Sequence, residues 1–195
     1  MAVRKDADGA AAPVIKAVPL SSELYARYGA VVSARSDLEF VAANQGTAQR
    51  YNFLSEVSNL RPDAARLNLC VFSCSPLAKL PLEIKFLEKH HYSTQVFLPM
   101  SKSSQYLAVV CLGGDAPDLS TVAAFVVAGP QGVSYRPGVW HYPITALYES
   151  IDFACLVHEA GNADDCTIAH LEQPVTVDVA DERRSQFRID SSGDQ

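Results

Sequence analysis

Two stretches of this 195-residue chain concentrate side chains able to move protons or hold a cation. The first is Glu88-Lys89-His90, followed by Gln95 and then Lys102. On a strand, residues i and i+2 share a face, so Glu88 and His90 point together and Lys89 points outward, away from them. Gln95, at the start of the next strand, is placed to join them. The second stretch runs from Gly132 through Tyr135, Pro137, Gly138 and Trp140 to His141. Pro137-Gly138 forces a tight turn, which returns His141 to the interior at a fixed height. A carboxylate, two imidazoles and an amide can act as an acid and base pair. The same groups can serve as an N/O ligand set for a divalent ion.

Each residue also has a plainer reading. His141 can be a buried ring bonded to a backbone carbonyl, and His90 can be confused with a solvated His91. Glu88 can pair with Lys85 or Lys102, and Gln95 can satisfy backbone groups between strands. A loop lysine such as Lys102 is ordinarily solvated, and a ring such as Trp140 more often packs than binds. His158 and His170 lie outside both stretches.

The elements that must position these groups read as short strands. Val14–Val18 suggests an edge strand, and Ser21 to Tyr28 a short helix capped by Ser21 or Ser22 and stopped by Gly29. Asn44-Gln45-Gly46 signals a turn, and residues 50–58 are ambiguous between strand and loop. Strands follow over 67–74, 80–89, 94–98, 106–112, 124–127, 133–135, 144–148 and 151–158, with Asp118 capping a helical turn. Short strands at this spacing argue for a closed sandwich or barrel. The fold class is therefore mainly β with a few short helices. Residues 1–13 read as a flexible arm, 14–172 as the domain, and 173–195 as a polar tail docked at most by Val175 and Val177.

Composition excludes several functions. The hydrophobic fraction of 48% is that of a globular protein, and no run approaches the roughly 18 apolar residues of a membrane span. The first residues lack the apolar core of a signal peptide. The five cysteines are odd in number, and Cys111 and Cys155 sit in apolar runs, as in a reducing compartment. The expectation is a cytoplasmic protein. Net charge is −6 with dispersed cations, which argues against nucleic acid and requires local cations for any anionic substrate.

The two stretches resemble the paired motifs of the cupin superfamily. Glu88 stands for the first histidine, Gln95 for the acid and Lys102 for the glycine of the first motif. Gly132, Pro137, Gly138 and His141 match the second. The surrounding text is more specific and resembles the ureidoglycolate lyase family. The residues concerned are Leu87 to His90, Ser93 to Met100, Pro117 to Thr121, Gln131 to Val133, Gly138, Trp140, His141 and Pro143, with Asn44, Gly46, Arg50 and Tyr51 upstream.

That resemblance implies a cupin-like barrel and a cytosolic homodimer that splits (S)-ureidoglycolate into glyoxylate and urea in allantoin and purine breakdown. It implies catalytic roles for His141, His90, Glu88 and Gln95, with Arg50, Lys102, Trp140 and Tyr135 against the substrate. No organic cofactor is implied. A divalent ion on Glu88, His90, Gln95 and His141 is compatible with nickel or zinc. Relatives of this kind carry an arginine where Ser73 stands, so Arg50 is the first candidate to hold the substrate carboxylate. Two rivals share the same residues: a metal-dependent hydrolase or isomerase on a related hydroxy acid, and a cupin that binds a metabolite without turnover. The open edge at Val14–Val18 suggests dimerisation by strand pairing.

Overall fold

A computed structural model describes residues 13–102 and 105–180. Apart from Pro13 the proposed N-terminal arm lies outside the described residues, as does the end of the proposed tail from residue 181.

The strands are β1 (Val14–Lys16), β2 (Val18–Pro19), β3 (Gly29–Val32), β4 (Val41–Ala43), β5 (Ala48–Arg50), β6 (Arg66–Cys74), β7 (Leu82–Lys89) and β8 (Gln95–Pro99). They continue with β9 (Gln105–Cys111), β10 (Ala123–Ala128), β11 (Gly132–Tyr135), β12 (Trp140–His141), β13 (Thr145–Ala146), β14 (Ile151–Glu159) and β15 (Thr167–Asp178). One short helix, α1 (Ser22–Tyr25), is capped by the Ser21 hydroxyl, which accepts from the Leu24 amide at 3.1 Å. The fold is mainly β, as the strand-and-turn pattern implies.

Two sheets carry the architecture. The larger has the order β1-β15-β7-β12-β9-β10-β2, with β13 also on β9, and the smaller has the order β3-β11-β8-β14-β6. Strands β1 and β2 are separated by Ala17 alone, yet they pair in parallel with β15 and β10 respectively. In a flat sheet β15 and β10 would stand four strand spacings apart, roughly 19 Å. The sheet therefore curls until one short segment joins both its edges, giving a barrel-like form. The Val14–Val18 segment is thus no open edge: it is consumed within its own chain.

Two apolar clusters follow from the alternation of side chains along the strands. Tyr106, Ala108 and Val110 of β9 and Phe125 and Val127 of β10 meet Phe97, Val133, Tyr135, Phe153, Cys155 and Val157 of the smaller sheet. On the opposite face, Leu107, Val109, Cys111, Trp140, Val175 and Val177 form the second cluster. Strand β7 changes phase on the way. Ile84 and Leu87, three residues apart, both join that second cluster. Opposite them, the pairing of β7 with β15 shifts between His170 and Val175. Such an irregularity moves every later side chain to the other face, and it turns Glu88 toward the layer between the sheets.

Gly29 opens β3 instead of capping α1. A Cβ there would lie 1.6 Å from the Ser134 carbonyl oxygen and 3.2 Å from Tyr25 Cε1, so only glycine permits this approach of β3 to β11.

The boundary expected at residue 173 falls inside β15. Val175 and Val177 are buried and pair with Ile84 and Leu82 of β7, while Thr176 to Asp178 pair with β1. Each buried valine contributes on the order of 2 kcal/mol. Truncation after residue 172 is expected to lower stability by on the order of 5 kcal/mol and to abolish a cooperative thermal transition in circular dichroism. An unchanged melting temperature would mean that the segment is a dispensable tail.

Candidate functional site

Strand β12 lies between β7 and β9, with His141 opposite Glu88 on one side and Val110 on the other. Adjacent residues on a strand face opposite ways, so Trp140 enters the second apolar cluster while His141 enters the layer between the sheets. There His141 stacks on Tyr135 of β11 at 4.2 Å between ring centroids, and on His90 at 5.6 Å. Glu88, His90 and His141 each offer an atom within 4.8 Å of the others. The sequence pair of Glu88 and His90 and the turn-placed His141 are thus brought together.

Both imidazoles are oriented by main-chain oxygens. His90 Nδ1 lies 2.7 Å from the Asp165 carbonyl, and His141 Nδ1 lies 3.0 Å from the Val139 carbonyl. A carbonyl only accepts, so each Nδ1 carries a hydrogen, and a ring without a second proton keeps its Nε2 lone pair free. His141 Nε2 faces Glu88 Oε1 at 3.4 Å and has no hydrogen-bond partner, although it is fully buried. A proton on Nε2 would pair the two groups, and without one, two acceptors in a desolvated space repel unless a cation stands between them. This geometry fits a divalent ion held by one oxygen and two nitrogens.

The electrostatics agree. Burial pushes the Glu88 carboxyl up, but His141 and His90 outweigh it and hold the group below its ordinary range. Burial, and then the neighbouring His141, lower the His90 pKa below its usual value near 6.5, against the opposing pull of the Asp165 carbonyl and Glu88. No lysine or arginine is among the charges acting on either group.

Gln95 and Tyr135 contribute from the smaller sheet. They stand directly opposite each other on β8 and β11 and share a face, so both line the layer that holds His141. Gln95 Oε1 and the Tyr135 hydroxyl are buried without a hydrogen-bond partner. Burial pushes the Tyr135 phenol far above its ordinary pKa, followed in effect by Glu88 and Cys155, so it remains a donor.

Three expected site residues stand elsewhere. Trp140 donates from Nε1 to the Gly114 carbonyl at 3.3 Å, on the far face of its strand. Its ring carries Lys89 Nζ at 4.2 Å. Lys89 therefore points away from Glu88 and His90 as expected, but it is buried against an aromatic face and not directed at water. Lys102 precedes β9 beside Gly129, whereas the site meets β9 at Val110. Five residues of strand, roughly 17 Å, separate Gln105 from Val110, beyond the reach of a lysine. Arg50 lies exposed on the β4–β5 hairpin, which among the described residues pairs with neither large sheet. Ser73 alternates with Val71 on the outer face of β6, so the side chain at that position points away from this site.

Sequence reading missed the support beneath His90. Asp165 accepts from the amides of Ala160, Gly161 and Asn162 and from Arg61 Nη2 at 2.6 Å, which anchors the carbonyl that orients the ring. Arg61 also lies over Tyr92 at 4.3 Å. The Asn162 capping pattern is legible in the chain, but nothing local ties it to a histidine 75 residues away.

The depressed pKa of His90 fixes a pH dependence. The unfolded chain takes up the proton first as pH falls, so this stabilisation is complete above about 6.5 and is lost below it, toward the lower folded value. Glu88 adds a second loss at lower pH, through its own depressed value. The melting temperature should fall between pH 7.5 and 5, and His90→Asn should flatten that fall; an identical slope in the variant would remove His90 as its source.

Known proteins resemble this chain over most of its length. The family model described as ureidoglycolate lyase matches residues 12–178. The ureidoglycolate lyase of Escherichia coli K12 is 36% identical over 159 residues, 82% of this chain and 95% of that protein. Those of Escherichia coli O1:K1 / APEC and Shigella boydii serotype 18 are 38% identical over the same shares.

Proposed function

The chain belongs to the ureidoglycolate lyase family, and from that premise we propose that it cleaves ureidoglycolate to glyoxylate and urea at Glu88, His90 and His141. The observation that carries this reading is the buried His141 Nε2 facing an ionised Glu88 across 3.4 Å.

The reaction takes the proton from the carbinol hydroxyl as the C=O bond forms. The C–N bond pair leaves with the urea nitrogen, which must gain a proton. His141 Nε2 is placed to accept the hydroxyl proton, and Glu88 stabilises the imidazolium that results. Returning that proton to the departing nitrogen balances the step. Tyr135, kept protonated by burial, donates to a substrate oxygen. Gln95 Oε1 accepts from a ureido N–H, and its burial beside Tyr135 helps exclude water.

Glu88 Oε1 and the two Nε2 atoms would hold a divalent ion, nickel or zinc alike, with Gln95 Oε1 a candidate fourth donor. Such an ion, when bound, lowers the pKa of the hydroxyl. The free thiols at Cys70, Cys74, Cys111, Cys155 and Cys166 suit a reducing compartment, so we place the protein in the cytoplasm. No helix among the described residues is long and apolar enough to cross a membrane.

Purified protein should release equimolar glyoxylate and urea from ureidoglycolate. His141→Ala should lower kcat/KM by on the order of a thousandfold. Treatment with a chelator followed by nickel or zinc tests the ion. Tight glyoxylate binding without turnover, before and after metal addition, would instead identify a metabolite-binding protein.

We further propose a homodimer, through a surface other than the Val14–Val18 segment. Among the described residues, strand β6 ends the smaller sheet and pairs only with β14. Leu67, Leu69 and Val71 are exposed on its outer face, opposite His158, Leu156 and Ala154. An unpaired edge beside an apolar face is self-complementary about a two-fold axis. Light scattering should give a dimer for the native chain and a folded monomer for Leu69→Asp; a native monomer would dismiss this interface.

A further inference from the structure

We infer that Arg50 binds the substrate carboxylate in the site of a second copy of the chain, not in its own. The inference rests on the lyase reading and on the dimer proposed above, and it names a side-chain cation for the substrate carboxylate.

Any ureidoglycolate must bring its carboxylate close to Glu88, which is itself anionic. In a desolvated site such a pair of negative charges needs a cation. None is supplied by the strands around it: Lys89 lies on the far face over Trp140, and Lys102 is at the distant end of β9. Arg50 is exposed, and among the described residues its side chain makes no hydrogen bond or ion pair, its backbone pairing with Val41 in the hairpin. A guanidinium is the side chain best suited to grip a carboxylate through two parallel hydrogen bonds.

The path of the chain says which site Arg50 serves. After β5, the Ser55 hydroxyl donates to Ser134 Oγ at 2.8 Å, and the Ser58 amide donates to Thr94 Oγ1 at 3.0 Å. A cavity of about 240 Å³ lies along this contact, lined in part by Phe53, Ser55 and Ser134. Ser134 neighbours Tyr135 on β11, so it faces the opposite side of the sheet from the site. The chain leaving the hairpin is therefore rooted on the outer face of the smaller sheet, the side opposite the one that His141 faces.

This is also the face on which Leu67, Leu69 and Val71 are exposed. The hairpin arms continue that apolar surface: Phe40 and Val41 are exposed on one side and Phe53 wholly so on the other. A hairpin that leaves the dimer face with uncovered aromatic side chains and an unpaired arginine is built to lie against the partner. There its charge complements an anionic site, as ordinary surface loops do not.

Complementation between two inactive chains tests this directly. Arg50→Ala and His141→Ala chains carrying different affinity tags are co-expressed, and the mixed dimer is isolated through both tags. Each parental dimer should be inactive, Arg50→Ala having lost about a hundredfold in kcat/KM. If Arg50 acts across the interface, the mixed dimer holds one complete site and recovers about half of the wild-type kcat. Arg50→Lys should raise KM more than it lowers kcat. An inactive mixed dimer, with the wild type active and dimeric, would place Arg50 in its own site and overturn the inference. A fully active Arg50→Ala dimer would remove Arg50 from substrate binding altogether. A wild type without turnover would instead overturn the lyase reading itself.

Discussion

Two backbone carbonyls set what this pocket can do. The oxygens of Val139 and Asp165 each hold an imidazole by its Nδ1–H, and so leave both Nε2 lone pairs available. Were either ring turned over, the lone pair would face a carbonyl, and the pocket would lose an acceptor while gaining a repulsion. With both rings held, His141 Nε2 and Glu88 Oε1 face each other across 3.4 Å in a buried space. The pocket is therefore unsatisfied by design of its main chain, and a positive centre or a donor relieves it.

The surrounding fold serves that arrangement. Curling of the larger sheet places β12 between β7 and β9, which brings His141 beside Glu88 although 53 residues separate them in the chain. The phase change in β7 turns Glu88 toward the second sheet while Leu82 and Ile84 remain in the opposite cluster. Strands β8 and β11 then close the layer with Gln95 and Tyr135. Stacking of Tyr135 on His141 fixes the ring plane from the other side, and burial keeps the phenol protonated as a donor. Arg61 and Asp165 act further out, holding the carbonyl on which His90 depends.

The same strands present a second, contrasting surface. Their outer face in the smaller sheet remains apolar at Leu67, Leu69 and Val71, and the chain after the β4–β5 hairpin meets that side through Ser55 and Ser134. Pocket and surface thus occupy the two faces of one sheet. A single residue step along β11, from Ser134 to Tyr135, crosses between them, so the buried cluster and the exposed apolar face are separated by one sheet thickness.

By itself the sequence determined the short strands, the Ser21 cap, the turn at Pro137-Gly138 and the shared direction of Glu88 and His90. Each of these follows from local geometry, because side-chain alternation and turn preference depend on neighbours a few residues away. The order of its motifs also indicated the family that the comparisons show. Only the tertiary structure decided that Trp140 and Lys89 form a buried pair on the far face, that Lys102 lies beyond reach, and that residues 173–178 complete a sheet. It likewise decided that Val14–Val18 joins two edges and that Asp165 supports His90. These depend on which strands become neighbours, and pairing between segments far apart in the chain is set by the packing of the whole, which no local pattern encodes.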